Sequence, residues 1–207
     1  AIQMQFLNLP ALAADELYTL AIDADGDFSD GNSTELRMST TNVFQDVTFP
    51  NGANYMTILI TKVDAVLTVQ QHGDEAGPVN IIYRVSLQSP AAVPLTNLLL
   101  GDIVFDIADL LTGTATPGVG LDYLAIPGGA QVTVLSGDAF ADFVVVVNDD
   151  VLIEDIETVI AQISNPNVTQ VNIVTPNATA NILDNEPKNF MRHGKVFSGG
   201  TEQPMKF

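Results

Sequence analysis

The sequence contains no cysteine and no tryptophan among its 207 residues. Without cysteine the chain cannot form a disulfide, a thiolate nucleophile or a cysteine-ligated zinc site. The lack of tryptophan disfavours the aromatic-lined cleft that glycoside hydrolases need. The two histidines, His72 and His193, each lie beside glycine in a predicted loop, without a motif that pairs them with a nucleophile. We therefore predict that the protein is not an enzyme.

Basic residues are also scarce, with 7 Lys and Arg against 25 Asp and Glu and a formal net charge of −18. Such a surface repels the phosphates of nucleic acids and anionic lipids, so we expect neither as a partner. Carboxylates are natural ligands for divalent cations, so a divalent cation is the partner that such a surface favours. The alternative is that the acidity only keeps a surface protein soluble.

Long hydrophobic runs are missing as well. None approaches the roughly 20 residues that a membrane-spanning helix needs, so we expect no transmembrane segment. Residues 1–10 have neither a basic start nor a continuous apolar stretch, and we expect a signal peptide to have been removed or to lie upstream. A cysteine-free acidic chain then fits a secreted bacterial protein, extracellular or at the cell surface.

The apolar runs that are present are short, rich in Val, Ile, Thr and Phe, and punctuated by Gly, Pro, Asn and Asp. This pattern predicts an all-β fold. The run Phe143–Val147 is apolar at both alternating positions, which predicts a central strand of a sandwich. The predicted strands are Ile2–Leu7, Leu17–Ile22, Tyr55–Thr61, Val66–Gln70, Asn80–Leu87, Asp102–Ile107, Gln131–Leu135, Asp142–Val147, Glu157–Ile163, Val168–Val174 and Ala178–Leu183.

We predict three segments along the chain. Residues 1–62 form a small N-terminal β domain, residues 63–187 form a larger sandwich, and residues 188–207 form a tail. The tail holds four of the seven basic residues: Lys188, Arg192, Lys195 and Lys206. Its sequence predicts either a docking or export element or a frayed end.

The densest acidic stretch is 148–157, where five carboxylates fall within nine residues beside a predicted strand. The Debye length in physiological salt is about 8 Å, so salt does not screen the repulsion between charges that lie closer together than this. A hard cation that takes about 6 to 8 oxygen ligands would neutralise them. Asp122, the segment 184–186 and Glu75 join the same group if the sandwich brings its strand ends together. The alternative is that all of these are solvated loop carboxylates.

Residues 63–186 resemble a Calx-β domain in the order and spacing of several short motifs. Gly113–Gly118 precedes Asp122-Tyr123, and an Asp-Asp-x-x-x-Glu-x-x-Glu pattern precedes the turn Ser164-Asn165-Pro166. The closing strand ends in Ile182-Leu183-Asp184-Asn185-Glu186. The family occurs in sodium/calcium exchangers and in large bacterial surface proteins.

The resemblance implies an immunoglobulin-like Calx-β sandwich that binds Ca²⁺ at one end. The implied ligands are Asp122, Asp149, Asp150, Glu154, Glu157, Asp184 and Glu186, the carbonyl of Leu152, and Glu75 by a looser match. The stretch Leu17–Asn32 and the tail are similar to secreted surface proteins of the Bacteroidetes. We therefore expect a calcium-binding structural or adhesion module that calcium rigidifies.

Two other functions fit the same features. One is a subunit or stalk of a surface filament, joined by strand addition to other copies or neighbouring domains. The other is an adhesin that binds glycans through a bound ion or exposed aromatic rings. Separately, the acidic segment Asp23–Gly31 predicts either a tight polar hairpin turn or a metal loop, although it lacks the glycine and glutamate of an EF-hand.

Overall fold

The computed structural model describes residues 2–28, 33, 35–52, 54–90, 95, 98–99, 101–186, 190–192, 195–198 and 201–203. These residues form strands, turns and bends without a helix, so the predicted all-β class is confirmed. Within them, nothing helical reaches the length and apolar character needed to cross a bilayer.

The strands follow one another along the whole chain. The N-terminal strands are β1 (Ile2–Gln5), β2 (Leu17–Asp23), β3 (Glu35–Ser39), β4 (Val43–Val47) and β5 (Tyr55–Thr61). The central strands are β6 (Val63–Gln71), β7 (Gly73–Asp74), β8 (Ile81–Gln88), β9 (Leu98–Leu99), β10 (Ile103–Asp109), β11 (Gln131–Val134), β12 (Phe140–Val145), β13 (Glu157–Ser164), β14 (Val171–Thr175) and β15 (Asn177–Leu183). The C-terminal strands are β16 (Phe190–Arg192), β17 (Lys195–Ser198) and β18 (Thr201–Gln203).

Two sheets made from the central strands form an immunoglobulin-like sandwich. One sheet has the order β11-β10-β13-β15-β7, and the other has the order β12-β8-β6-β14. Side chains alternate between core and surface along β8, where every second residue is buried, as expected when one face of a strand packs on the other sheet. The inward residues of β8, β10 and β13 share one apolar core, which includes Tyr83, Phe105 and Val159.

A hydrogen bond joins the two sheets through the middle of this core. The hydroxyl of Tyr83 on β8 donates to the carbonyl oxygen of Val159 on β13 over 2.8 Å. Because both groups are buried, the hydroxyl satisfies an acceptor that water does not reach.

We therefore expect Tyr83→Phe to lower the free energy of unfolding by about 1–3 kcal/mol, because it leaves the Val159 carbonyl without this donor. Chemical denaturation of the variant measures the loss. Tyr55→Phe is the matched control, since the Tyr55 side chain is largely exposed. Equal effects of the two substitutions would contradict a structural role for the buried hydroxyl.

Three N-terminal strands and the later strand β9 form a separate sheet with the order β5-β2-β3-β9, and β1 pairs with β4. Strand β2 is buried along its whole length. Leu20 and Ile22 pack with Phe44 and Val47 in a second, smaller core, whereas Leu17 belongs to the core of the sandwich. The boundary predicted near residue 62 falls between β5 and β6, and the division into domains stays a prediction.

The connection between β2 and β3 is a hairpin, because the two strands pair antiparallel with Ile22 opposite Glu35. The strands on either side of Asp23–Gly31 therefore form the predicted hairpin. The connection runs over residues 24–34 and is too long for a tight turn. Residues 29–32 and 34 of this connection lie outside the described residues.

The prediction that Phe143–Val147 is a central strand is wrong. This segment falls largely in β12, which lies at the edge of its sheet beside β8 in the described structure. Val144 and Val146 are 50% and 41% exposed. An apolar run at both alternating positions cannot distinguish a doubly covered strand from an edge strand with apolar side chains in solvent.

Candidate metal centre

Strand pairing gathers the acidic segments at one rim of the sandwich. Strand β15 ends next to the end of β7, with Leu183 opposite Asp74. Strand β13 begins beside them, with Glu157 opposite Ile182. The segments that leave or enter these strand ends therefore carry their carboxylates to the same rim.

The first group of carboxylates consists of Glu75, Asp122 and Glu154. Each offers one oxygen, and these oxygens lie within 4.8 Å of one another. Glu75 is 2% exposed and Asp122 is 3% exposed, so two of the three are withdrawn from bulk water. Three carboxylate oxygens at this spacing match the hard, oxygen-rich donor set that Ca²⁺ prefers.

A second group consists of Glu75, Asp184 and Glu186, whose oxygens also lie within 4.8 Å of one another. Glu75 is common to both groups. Its two carboxylate oxygens give it the capacity to bridge two neighbouring cations. The geometry thus offers two adjacent cation positions that share one buried ligand.

Several oxygens at this rim have no hydrogen-bond partner. Oε2 of Glu75, Oδ2 of Asp150 and Oε2 of Glu186 are buried without a donor. Burial of an unpartnered polar atom is costly, and the cost is larger for a charged one. A cation among Glu75, Asp184 and Glu186 would supply the missing interaction for Glu75 and Glu186.

The basic side chains that the structure describes lie elsewhere. Lys62 forms a 2.6 Å ion pair with Asp15, and Arg84 forms a 2.7 Å ion pair with Asp142. Arg37 lies on β3 in the N-terminal sheet. Lys62 and Arg84 are therefore paired with carboxylates outside the rim.

The electrostatics of the rim follow from this crowding. Burial, followed by the charges of Asp150, Asp184, Glu186 and Glu154, raises the pKa of Glu75 to about 7. Burial, contact with Asp122 and neighbouring carboxylates raise the pKa of Glu157 to about 8. The same two causes, burial and nearby carboxylates, raise the pKa of Glu154. In the metal-free protein these carboxyl groups therefore bind protons more readily than ordinary glutamates do.

Backbone amides hold several of the carboxylates in place. The amide of Thr116 donates to Oδ2 of Asp122 over 2.5 Å. The amides of Glu154 and Glu186 donate to the two carboxylate oxygens of Asp184, each over 3.2 Å. These bonds link the segment before β13 to the end of β15, so the rim is preorganised by its own backbone.

The loop that carries Asp122 is itself fixed against the sandwich. A side chain at Gly113 would place its Cβ 2.0 Å from the carbonyl oxygen of Thr158, so only glycine allows this close approach. The hydroxyl of the buried Tyr123 donates to Oδ2 of Asp109. These two contacts fix the loop on either side of Asp122.

The remaining predicted ligands lie around the two groups. The carboxyl of Glu157 contacts that of Asp122, and Asp150 is close enough to Glu75 to raise its pKa. Asp149 is exposed and accepts a 2.9 Å hydrogen bond from the side chain of Asn185. Leu152 has an exposed side chain, and its amide donates to Oδ1 of Asp150 over 2.7 Å. The assignment of all nine residues as ligands stays a prediction.

Two residues at the rim were missing from the predicted set. Asp74 and Asn185 line an open cleft with Glu154, Asp184 and Glu186. Asn185 interrupts the acidic run at the end of β15, and Asp74 precedes the loosely matched Glu75. The sequence signal for Asp74 was its position beside Glu75 in a glycine-bounded loop.

The histidine that the structure describes has a structural contact. Nδ1 of His72 accepts a 3.0 Å hydrogen bond from the amide of Asn181. This contact ties the turn after β6 to strand β15. His193 lies outside the described residues.

In the metal-free protein we expect the free energy of unfolding to fall as the pH rises from about 5 to about 8. In the folded state the pKa of Glu75 is about 7 and that of Glu157 about 8, against an ordinary value of 4.5 that the unfolded chain retains. Between these values the folded state binds more protons than the unfolded state, so raising the pH favours unfolding until both groups are ionised.

Thermal melts in EDTA across this pH range measure the effect. Saturating calcium should reduce the slope, because the cation replaces the protons. A metal-free protein whose stability rises through the same range would contradict the elevated pKa values of these two residues.

No family model matches the sequence, and no curated protein matches it. Among solved structures, the chain is similar to the apo form of the Calx CBD1 domain, with a TM-score of 0.43 and 18% identity over 60% of this chain and 98% of that one. It is also similar to CBD12 from CALX1.2, with a TM-score of 0.45 and 19% identity over 59% of this chain. CBD12 of CALX1.1, described as a calcium binding domain, gives a TM-score of 0.43 and 17% identity over 58% of this chain. The chain covers 45% of each of these two structures. The assignment of the site in this chain rests on its own acidic residues.

Proposed function

We propose that the chain is an extracellular calcium-binding module of a bacterial cell-surface protein, with a structural or adhesive role. The observation that carries the proposal is the buried Glu75, which belongs to two groups of carboxylates at once and retains an unpartnered oxygen. Calcium at these positions removes the repulsion among the carboxylates. The rim then becomes a rigid end of the sandwich.

Nine residues take part in this proposal, as two inner groups and an outer set. Glu75, Asp122 and Glu154 hold one Ca²⁺, and Glu75, Asp184 and Glu186 hold another. Asp149, Asp150, Glu157 and the carbonyl of Leu152 complete the coordination together with water. Calcium accepts such irregular, oxygen-rich sets, whereas Mg²⁺ requires a near-octahedral set.

A count of bound ions tests the proposal. The protein is dialysed against calcium and examined by native mass spectrometry, with magnesium in a parallel sample. We expect calcium-specific mass increments in the wild type, and Asp184→Asn should lose the increment of the position that Asp184 lines with Glu75 and Glu186. Asp138→Asn is the matched control, because Asp138 is an exposed aspartate in the connection between β11 and β12. Identical ion counts for wild type and Asp184→Asn would contradict the proposal.

The observation that favours a second function is the exposed edge of the N-terminal sheet. Strand β5 lies at this edge in the described structure and exposes Tyr55, Met56, Leu59 and Ile60. An edge with unpaired backbone groups and apolar side chains favours pairing with a strand of another chain. A filament subunit joined through β5 is the second candidate.

Light scattering after size exclusion tests this candidate over a range of protein concentrations. We expect association of the wild type and its loss in Leu59→Lys, because a lysine on an edge strand opposes pairing. Val174→Lys is the control, since Val174 is also exposed but lies on β14 of the sandwich. A monomeric wild type, with and without calcium, would remove the filament candidate.

A further inference from the structure

The hairpin between β2 and β3 contains a carboxylate that the rim of the sandwich does not use. Asp23 is the last residue of β2 and is 1% exposed. Its Oδ1 accepts hydrogen bonds from the amides of Asp25 and Gly26, each over 2.8 Å. These bonds turn the chain around the carboxyl group, which therefore lies inside the turn.

The second oxygen of this carboxyl group is left without a partner. Oδ2 of Asp23 is buried and has no hydrogen-bond donor. The hydrogen bonds from the Asp25 and Gly26 amides lower the pKa of Asp23, so the group is ionised at neutral pH. A buried anionic oxygen without a partner is costly, which points to a cationic ligand.

A second carboxylate stands beside the first. The side chain of Asp25 contacts that of Asp23, and its Oδ1 accepts a 2.9 Å hydrogen bond from the amide of Asp27. Two like charges in contact repel each other unless a positive charge lies between them. Asp25 is exposed, so a cation reaches the pair from solvent.

The turn is held in shape by the neighbouring strand. Gly26 has φ +87°, and a Cβ at this position would lie 3.1 Å from the ring of Tyr55 on β5. The positive φ and the close ring both favour glycine here. Because the ring packs against the turn, the two carboxylates are held in fixed positions on the N-terminal sheet.

We propose that Asp23 and Asp25 form a second binding site for a hard divalent cation, taking Ca²⁺ in the extracellular setting, independent of the sandwich rim. Oδ2 of Asp23 and the carboxylate of Asp25 provide two ligands. Water and backbone carbonyl oxygens complete the coordination. With fewer carboxylates than the rim, this site binds calcium more weakly.

The test uses the full chain with the rim disabled by Glu75→Gln. We expect native mass spectrometry and calcium titration to show a remaining bound ion in this variant. Adding Asp23→Asn, or Asp25→Asn at the exposed position, removes that ion. Adding Glu16→Gln, at a half-buried residue just before β2, leaves it in place. Two substitutions are used because Asp23 is buried and Asp25 is not.

The outcomes separate this site from the proposed rim site. Loss of every bound ion with Glu75→Gln alone supports the rim and overturns the hairpin site. An ion lost only with Asp23→Asn and Asp25→Asn supports the hairpin site, whatever happens at the rim. Equal ion counts in Glu75→Gln with and without either aspartate substitution would overturn the present inference.

Terbium luminescence gives a second readout at the hairpin. Tb³⁺ occupies calcium sites and emits when a nearby tyrosine ring is excited, and Tyr55 packs against the turn. In the Glu75→Gln background we expect Tyr55→Phe to remove most of the sensitised emission while the ion count stays unchanged. Emission that persists undiminished in Tyr55→Phe would place the remaining ion elsewhere and overturn the hairpin site.

Discussion

Chelation of calcium by EDTA should lower the melting temperature of the protein by on the order of 10–20 °C. At a hundredfold excess of calcium over Kd, each occupied site stabilises the folded state by about 2.7 kcal/mol, so two occupied sites contribute about 5 kcal/mol. For a chain of this length, 1 kcal/mol corresponds to about 2–4 °C. The two carboxylate groups that share Glu75 therefore account for a shift of this size.

Differential scanning calorimetry with calcium, with magnesium and with EDTA measures this shift. Magnesium at the same concentration should restore little of the stability, because it requires six ligands in near-octahedral geometry and releases its water reluctantly. Sodium chloride at matched ionic strength controls for general screening of the charge of −18. A melting temperature that EDTA leaves unchanged would remove calcium from the proposed function.

Replacement of Glu75 by glutamine should have opposite effects with and without calcium. In calcium the variant loses the ligand common to both groups, so most of the calcium-dependent stabilisation disappears. In EDTA at about pH 8 the variant should be more stable than the wild type by about 1–3 kcal/mol, because glutamine removes a buried and unpartnered charge. Its amide also donates hydrogen bonds to the surrounding carboxylates.

The opposite sign of the stability change with and without calcium distinguishes a metal ligand from a residue that only packs. A residue that only fills space at the rim would destabilise the protein in both conditions when changed. Glu16→Gln, at a half-buried residue outside the rim, is the matched control and should change neither melting temperature appreciably. Destabilisation by Glu75→Gln in EDTA as well as in calcium would contradict the assignment of Glu75 as a shared metal ligand.

Local sequence pattern was sufficient to find most strands of the sandwich. Alternation of apolar and polar residues along Ile81–Gln88 and Glu157–Ser164 matches the alternation of buried and exposed side chains. Strands β3 and β4 of the N-terminal region were not predicted. The short strands β7 and β9 were also missed, because a two-residue strand is too short to show a periodic pattern. They pair in parallel with β15 and β3 respectively, over long separations in sequence that local patterns do not encode.

The candidate site was predicted in part. The crowded stretch 149–157 identified the need for a counter-charge, and Asp122 and Asp184 were expected beside it. Glu75 was a loose match in sequence, yet it is the residue that both groups share. Its importance comes from burial and from the register of β7 against β15, neither of which is visible in the residues around it.

The sequence by itself determined an all-β chain with a large surplus of carboxylates and too few basic residues to pair with them, because composition and period are local properties. The tertiary structure alone decided which carboxylates meet. Pairing of β7, β13 and β15 at one rim brings Glu75, Asp122 and Asp184 together, and the hairpin after β2 withdraws Asp23 from water. These contacts depend on strand register and burial, which arise only when distant segments pack against one another.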